Sequence, residues 1–506
     1  MTELLPAVRH VNPLFVLLTA SVGCALTVLD TNVVAIVLPT IAREFRASFA
    51  DVEWVISTYV LCFASLLLPA GAIADRFGRR RVYLIGIASF AIASLLCGLS
   101  PSAPALYLSR ALQGISAAFL LAPALAIIGH GFHDAQERNR AWAIWGSIMG
   151  LTMVLAPIIG GLIASTLGWR WAFYINVPIC AFLAGAVIFL IEESRDVAAR
   201  KLDPAGIVFF AVSMFGLTWG LINGQAAGWT SWSALGGFIG GGLSACAFIA
   251  VEQAQARPML DLRLFSSPRF LGAVWAMFAY AVAAQVMASM LPLFLQNGLG
   301  QSALQAGFDM LPFALAMLVF PHIGRLLERR LSSASILTIG LLFVAVGNAI
   351  TAWGAYSVAW HVIMGGMIVL GGGGGLLNGE TQKAIMSAVP RERSGMASGI
   401  STTSRFSGIL LGFAMLSGVL ATMVRSWVRA FGCGVCQRPS TFADAIVAGD
   451  LPGALIGLSS SARITGLEQA RQAFSHGFSW ALLTASVFAF ISSVMVSTLM
   501  RTGRED

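Results

Sequence analysis

The sequence predicts an all-α integral membrane protein with fourteen transmembrane helices, and three observations support that prediction. The chain is 57% hydrophobic and 11% charged, with a mean hydropathy of +0.82, whereas soluble domains carry about 25% charged residues. The apolar residues are gathered into segments of about 20 residues, which is the length that spans a bilayer core. Most connections between these segments are short, and they hold most of the Lys and Arg residues.

The fourteen apolar segments divide the chain into two bundles. We expect an N-terminal six-helix bundle over 1–192, a linker with two additional spans over 193–268, and a C-terminal six-helix bundle over 269–506. The last of these contains a long extracytoplasmic connection, 424–472. In chain order the segments are 14–38, 52–72, 82–100, 105–129, 141–164, 171–191, 205–223, 232–252, 269–292, 304–323, 334–353, 359–380, 399–423 and 473–498.

The distribution of positive charge predicts the orientation. If the N-terminus is cytoplasmic, 21 of the 31 Lys and Arg residues lie in cytoplasmic tails and loops, 8 lie outside and two lie within spans. This bias follows the positive-inside rule and places both termini in the cytoplasm of a multi-pass inner-membrane protein. A net charge of +8 also suits a nucleic-acid binder, but because the charge lies in short loops we expect the lipid bilayer as partner and no nucleic acid.

Cysteine and motif content exclude several classes of site. Cys433 and Cys436 form a single C-x-x-C in the long connection, which argues against a four-thiolate zinc site and leaves a local disulfide open. The two lysines, Lys201 and Lys383, do not belong to a Walker loop, and the sequence has neither H-E-x-x-H nor G-x-S-x-G. We therefore expect no ATP site, no metal or other cofactor, and no enzymatic activity.

A short charged motif occurs twice. "GAIADRFGRR" (71–80) follows the second predicted span, and "GRLLERR" (324–330) follows the tenth. In both, a Gly is followed four residues later by an acid and then by Arg. A repeat at this spacing indicates two related bundles, the organisation of many secondary transporters.

Four segments carry a resemblance to a known family. They are "GAIADRFGRRRVYL" after the second span, "LYLSRALQGISAA" in the fourth, "GSIMGLTMVLAPIIGG" in the fifth and "GWRWAFYINVPI" at the start of the sixth. Together they resemble the major facilitator superfamily, and within it the fourteen-span drug:proton antiporters of the EmrB/QacA type. The resemblance extends over nearly the whole chain. It implies the major facilitator fold, with two six-helix bundles plus two extra central helices, and transport powered by a proton gradient.

The resemblance implies two mechanical elements. The first is a gate loop that makes and breaks charge pairs, although a positive-inside loop with no moving role is the alternative. The second is a glycine-rich face of the fifth span that seals the inner side and separates exporters from importers, although generic tight packing is the alternative. The gate loop comprises Gly71, Asp75, Arg76, Gly78, Arg79 and Arg80, and the antiporter helix face comprises Gly146, Gly150, Pro157, Gly160 and Gly161.

Asp30 lies in the middle of the first apolar segment, in "LTVLDTNVVAIVLP". Desolvation disfavours an ionised carboxyl group, so a carboxyl group that faces a central cavity can take up a proton on one side and release it on the other. Arg110 lies inside the fourth segment, where a charge costs about 2.5–3.5 kcal/mol on insertion scales, and the resemblance links it to proton transfer. We predict that these two residues couple transport to protons; a purely structural ion pair is the alternative.

Further polar residues within or near spans are candidate substrate contacts. Asn32 departs from the family pattern, in which Thr is usual at that position. Glu53 is predicted to begin its helix in an outer loop, where a negative charge suits a helix N-terminus. The candidate substrate contacts are Asn32, Gln113, Asp309, Glu380 and Arg405.

The sequence thus predicts a proton-coupled multidrug efflux transporter, a monomer that exports amphipathic, cationic small molecules by alternating access. One alternative is a specific exporter of a single endogenous metabolite or antibiotic. Remote alternatives are a membrane enzyme or sensor, and a uniporter or importer. Family analogy also admits a periplasmic adaptor protein as partner.

Overall fold

The computed structural model describes residues 12–131, 135–195, 203–254, 262–389, 394–431, 439–448, 455 and 460–502, and these residues are helical with no strands. A 3-10 turn covers Leu262–Ser266, and a π turn, Ala281–Gln285, joins α10 to α11. The α-helices are α1 Pro13–Phe45, α2 Phe49–Phe77, α3 Arg79–Leu99, α4 Ala103–Gly131, α5 Ala135–Thr166, α6 Trp171–Tyr174, α7 Asn176–Leu190, α8 Pro204–Ala227, α9 Trp232–Ala254, α10 Pro268–Tyr280, α11 Val286–Asn297, α12 Ala303–Asp309, α13 Leu311–Leu327, α14 Ser333–Ser357, α15 Trp360–Ser387, α16 Ser394–Phe431, α17 Pro439–Ala448 and α18 Ser460–Thr502.

The predicted membrane spans are confirmed. Within the described ranges, thirteen helical segments are long and apolar enough to cross a membrane, and α2, bent by 48° at Pro69, makes a fourteenth. Three spans combine shorter helices: α6 with α7, α10 with α11 through the π turn, and α12 with α13. Large apolar side chains such as Phe182, Ile85 and Leu108 are more than 60% exposed, because lipid rather than water covers this surface.

Local sequence signals fix where the helices begin. Asn12 accepts a hydrogen bond from the Leu14 amide at the start of α1. Ser48 and Asp51 form a reciprocal capping box at the start of α2, which satisfies amides that the first helical turn leaves free. The Asp203 carboxylate caps α8 in the same way, by accepting from the Gly206 amide.

The helices pack as two bundles. In the first, α1 packs on α4 and α5, while α4 also packs on α2 and α3. In the second, α14 packs on α15 and α18, and α10 lies against α15, α16 and α18. The additional hairpin, α8 with α9, touches both bundles through the contacts of α8 with α2 and α16. Glycines hold this hairpin together closely, because a Cβ at Gly216 would lie 2.7 Å from the Cα of Gly241.

Successive spans alternate in direction, so the bundles have two ends. We call the end that carries Asp75, Glu193 and Glu328 the Asp75 face, and the opposite end, with Glu44 and Glu53, the Glu53 face. By the charge distribution, the Asp75 face is the predicted cytoplasmic side.

The long connection predicted over 424–472 is shorter in the structure. The α16 helix continues to Phe431 and α18 begins at Ser460, with the short helix α17 between them. These extensions carry polar residues, which is why hydropathy alone ended the spans too early. Cys433 and Cys436 lie outside the described residues.

Candidate transport site

Asp30 and Arg110 form an ion pair in the interior of the first bundle. Arg110 Nη1 donates to Asp30 Oδ2 at 2.6 Å, and both side chains are at most 1% exposed. The sequence analysis expected Asp30 to face a central cavity, whereas the structure places its side chain, with that of Arg110, in the closed interior of the first bundle. Because each charge compensates the other, the bundle carries no net charge at this point.

Three neutral polar side chains complete the cluster around Asp30. Gln113 Nε2 donates to Asp30 Oδ1 at 2.9 Å and to Ser94 Oγ at 2.8 Å. Asn176 Nδ2 donates to Asp30 Oδ1 at 2.8 Å. The carboxylate on α1 is therefore bonded directly to α4 and α7, and Ser94 of α3 joins the cluster through Gln113. Gln113 is thus a partner of the carboxylate, while Asn176 and Ser94 were not singled out in the sequence.

The Arg110 guanidinium is held on its other sides by α2 and by an aromatic ring. Arg110 Nε donates to the Val55 carbonyl at 3.2 Å, and the guanidinium carbon lies 4.1 Å from the centre of the Tyr59 ring. This packing needs the glycine that follows in α4, because a Cβ at Gly114 would lie 2.2 Å from the Tyr59 carbonyl oxygen. A guanidinium over an aromatic face is favourable, most of all away from water.

The cluster can act as a proton-linked switch. A proton on Asp30 would remove the ion pair, so that Arg110 would keep its charge without a counter-ion in a site closed to water. It would also weaken the acceptor shared by Gln113 and Asn176. Protonation would therefore weaken the bonds of α1 to α4 and α7 at the same moment.

The gate loop is bonded to α7 and to the residues that follow it, which belong to the same bundle. Arg79 pairs with Asp75 at 2.7 Å, and its amide donates to the Ser194 carbonyl at 2.8 Å. The Glu193 carboxylate accepts from the amides of Arg80 and Arg81 at 3.1 and 3.2 Å, at the positive N-terminus of α3. The latch therefore depends on Glu193, which the sequence motif does not include.

The remaining gate-loop residues differ in their surroundings. Gly78 has a φ of +113°, and a Cβ there would lie 2.6 Å from Glu193 Oε1, so this position requires glycine. Arg80 Nη2 donates to the Ile188 carbonyl at 2.6 Å. Arg76 is exposed and extends over the Phe77 ring, and a Cβ at Gly71 would make only an ordinary 3.9 Å contact. Close approach therefore explains Gly78 but not Gly71.

The glycine-rich face of α5 packs against both bundles near the Glu53 face. A Cβ at Gly160 would lie 3.2 Å from the Val33 Cα, and one at Gly161 would lie 2.6 Å from the Ala303 carbonyl oxygen. Pro157 takes part through its carbonyl oxygen, which a Cβ at Gly307 of α12 would approach to 2.5 Å. The resemblance implied a seal on the inner side, whereas these contacts lie near the predicted outer side.

The other end of this α5 face makes fewer contacts. A Cβ at Gly150 would meet only the flexible Leu318 side chain, at 2.7 Å, and one at Gly146 would meet nothing within 4 Å. Gly146 is exposed and lies toward the Asp75 face. The five residues therefore do not act as one uniform packing surface.

Glu53 differs from the sequence prediction. Ser48 and Asp51 begin α2, while Glu53 is 1% exposed and accepts a hydrogen bond from the Ser417 hydroxyl of α16. The carboxylate thus lies between the two bundles rather than in an outer loop. Helical periodicity explains the difference, because Glu53 lies two residues beyond Asp51 and so faces another direction.

Glu380 and Asp309 are acids that the sequence suggests as substrate contacts, and both lie far from Asp30 along the span direction. Glu380 accepts from the Ser333 hydroxyl and lies 3.6 Å from Lys383, which also pairs with Glu328 at 2.7 Å. This network joins helix ends of the second bundle at the Asp75 face. Asp309, near the Glu53 face, accepts from Gln301 at 2.6 Å.

The last two candidates lie within spans. Asn32 donates to the Val28 carbonyl of its own helix at 2.8 Å. Arg405 Nε donates to Gln285 Oε1 at 2.9 Å, across from α16 to the π turn. The structure therefore places Gln113 with Asp30, and Arg405 in the second bundle.

Comparison with known proteins identifies the family. The model of the Major Facilitator Superfamily matches residues 20–413. The chain belongs to this superfamily. A solved bacterial homologue of the human lysosomal transporter Spinster shares the major facilitator fold, with a TM-score of 0.65 at 18% identity over 96% of this chain and 97% of that chain.

Curated relatives of this major facilitator protein are drug-export proteins. The multidrug resistance protein Stp of Mycobacterium tuberculosis is 33% identical over 82% of this chain and 77% of the relative. The multidrug efflux pump LfrA of Mycolicibacterium smegmatis is 31% identical over 94% of both chains. The tetracenomycin C resistance and export protein of Streptomyces glaucescens is 33% identical over 81% of this chain and 76% of the relative. The predicted resemblance is confirmed, and the chain is a membrane transporter rather than an enzyme.

Proposed function

We propose that this transporter exports amphipathic compounds across the inner membrane in exchange for protons, by alternating access. The observation that carries the proposal is the buried Asp30–Arg110 pair, in which one carboxylate is bonded directly to two helices besides its own and, through Gln113 and Ser94, indirectly to a third. A proton on Asp30 changes all of these contacts at once. The Asp75 face and both termini are cytoplasmic in this proposal, as the positive-inside rule predicts.

Proton coupling follows from the cost of an unmatched charge. With Asp30 ionised, its pair with Arg110 is neutral and the four helices are held together. With Asp30 protonated, Arg110 needs a new partner or water, so the arrangement that admits either becomes favoured. Exchange with protons requires that one state of the transporter favours ionised Asp30 and that the other state favours protonated Asp30.

The test uses purified protein in proteoliposomes with a fluorescent amphiphile and an imposed pH gradient. We expect wild-type transport to depend on the gradient, and the double variant Asp30→Asn/Arg110→Gln, which removes both charges together, to bind the dye without responding to the gradient. Glu44→Gln is the matched control, because Glu44 lies on the same helix and pairs with Arg170 instead. Equal gradient dependence in the double variant and the wild type would contradict proton coupling through this pair.

A second candidate is export of a single antibiotic or metabolite. Some relatives carry names that specify one compound, such as tetracenomycin C, methylenomycin A and cephamycin. Competition by a panel of unrelated amphiphiles separates the candidates: a multidrug exporter is inhibited by many of them, and a specific exporter by few. A monomeric state and a periplasmic adaptor remain predictions from the sequence.

The charge of the substrate is a separate question. The sequence favours cationic compounds because Asp30 can attract them. In the structure, however, the charge of Asp30 is already matched by Arg110 at 2.6 Å. Attraction of a cation by Asp30 would therefore require that this pair first open.

A further inference from the structure

Arg405 carries a positive charge, and it forms no ion pair with an acidic residue in the described part of the chain. It lies in the membrane span Ile400–Ala430 of α16, and its Nε donates to a neutral acceptor, Gln285 Oε1, at 2.9 Å. Arg110, by contrast, lies 2.6 Å from the carboxylate of Asp30. Charges inside a span are costly and typically face a cavity or mark a substrate pathway.

The neighbours of Arg405 show that it lies at the junction of the two bundles. The preceding residue, Ser404, donates to the Val274 carbonyl of α10 at 3.1 Å. The following residue, Phe406, contacts Phe63 of α2 in the other bundle, with ring centroids 4.3 Å apart. Because successive helical residues are about 100° apart, the half-buried Arg405 side chain points between these two directions.

The acids on neighbouring spans already have partners. Glu53 of α2 accepts from the Ser417 hydroxyl of α16, and Glu380 of α15 belongs to the network with Lys383 at the Asp75 face. Among the described ion pairs, none includes Arg405. Its Nη groups are therefore available as a charged, planar pair of donors.

A distorted helix places Gln285 beside this guanidinium. Gln285 ends the π turn Ala281–Gln285, and the turn is held by Asn348 Nδ2, which donates to the Ala283 carbonyl at 2.9 Å. Single π turns inside α-helices often mark functional sites. Gln285 lies 17 residues after the start of its span, and Asp30 lies 17 residues after the start of α1, so the two residues lie at similar depths in their spans.

We propose that Arg405 and Gln285 bind an anionic group of the exported compound, a carboxylate or another oxyanion that shares its charge between oxygens. The proposal rests on the proposed function and deepens it. The guanidinium supplies two parallel donors that fit such a group, and the bound anion supplies the counter-charge that the protein lacks. In this arrangement the first bundle binds and releases the proton, and the second bundle binds the charged group of the substrate.

The test uses two xanthene dyes that differ in one group: a cationic dye with a methyl ester, and the same dye with that ester hydrolysed to a carboxylate. Their affinities for the purified protein are measured by fluorescence polarisation. We expect the wild type to bind the carboxylate dye about tenfold or more tightly than the ester, the ratio that a hydrogen bond to a charged group produces.

Three variants separate charge from structure. Gln285→Glu supplies an internal carboxylate for Arg405, and Arg405→Gln removes the positive charge; both are expected to weaken binding of the carboxylate dye about tenfold and to leave the ester dye unchanged. Arg425→Gln is the matched control, because Arg425 lies on the same helix and pairs with Asp444 at 2.9 Å. It is expected to bind both dyes as the wild type does.

The outcomes distinguish this proposal from the proposed function. Equal weakening of both dyes by Gln285→Glu and Arg405→Gln would mean a structural role, and it would overturn the anion site, as would a wild type without preference. If the preference for the carboxylate dye is present and depends on Arg405, but a pH gradient drives neither dye, the site stands and proton exchange fails. If the gradient drives transport and the variants do not alter the preference, the site alone fails.

Discussion

Glu193 is predicted to hold the gate loop closed against α7, and removing its carboxylate tests this. The carboxylate accepts from the amides of Arg80 and Arg81 at 3.1 and 3.2 Å, at the N-terminus of α3. Glu193→Ala removes both acceptors and leaves two amides of the first helical turn without a protein partner. The substitution touches neither Asp30 nor the dye-binding residues, so its primary effect is local.

The magnitude follows from the contacts. Removal of a side-chain cap costs about 0.5–2 kcal/mol, and a negative charge near a helix N-terminus contributes about 0.3–1 kcal/mol at an exposed position. The Glu193 side chain is 32% exposed, and its ion pair with Arg81, which is 79% exposed, adds little. A total of about 1–2 kcal/mol corresponds to a local opening that is about 5 to 30 times more frequent.

Amide hydrogen exchange at the start of α3 measures this opening directly. We expect the amides of Arg80 and Arg81 to exchange about 5 to 30 times faster in Glu193→Ala than in the wild type. Glu192→Ala is the matched control: Glu192 is the neighbouring exposed acid, and among the described hydrogen bonds the α3 amides donate to Glu193 and not to Glu192. Unchanged exchange in Glu193→Ala, or the same increase in Glu192→Ala, would refute the role of Glu193.

Two further predictions concern helix packing and energetics. Gly114→Ala is expected to push α4 away from α2, because its Cβ would lie 2.2 Å from the Tyr59 carbonyl oxygen. The expected result is a lower yield of folded protein in size-exclusion chromatography. Gly129→Ala on the same helix is the control, because a Cβ at Gly129 meets nothing within 4 Å. If one proton exchanges for one dye molecule, export of the zwitterionic carboxylate dye moves one net charge and export of the cationic ester moves none. A membrane potential without a pH gradient is then expected to drive the carboxylate dye with about 2.3 kcal/mol per 100 mV and to leave the ester unaffected, and equal responses of the two dyes would contradict this stoichiometry.

The sequence predicts the fold because each span is a local apolar segment. It singles out Asp30 and Arg110 because a charge inside a span is energetically costly. Long apolar segments define the spans, and a charge inside such a segment, as at Asp30 or Arg110, is rare enough to be singled out. Asn176 and Ser94 were missed because small polar residues are tolerated at many positions of a span. Glu193 was missed because it follows the sixth span in a polar stretch, where an acid is ordinary.

Residues whose role depends on distance between bundles were the hardest to predict. The position of Glu53 near the start of α2 suggested an exposed helix end, and only the fold brings it to Ser417, which is 364 residues away in the chain. The partner of Glu328 is also non-local, because the pair forms with Lys383 on α15. No local pattern encodes such pairs.

The contacts between the bundles show which end of the transporter is closed. Near the Glu53 face, Gln296 Nε2 donates to the Ile36 carbonyl at 2.9 Å, and Glu53 is bonded to Ser417. At the Asp75 face, the bonds of the gate loop described above lie within the loop or reach α7 and the residues that follow it, all in the same bundle. The opposite state of the transport cycle must therefore break the contacts at the Glu53 face. A buried carboxyl group held by a single hydroxyl suits that requirement, because water can replace the hydroxyl as hydrogen-bond partner when the bundles separate, which offsets part of the cost of opening.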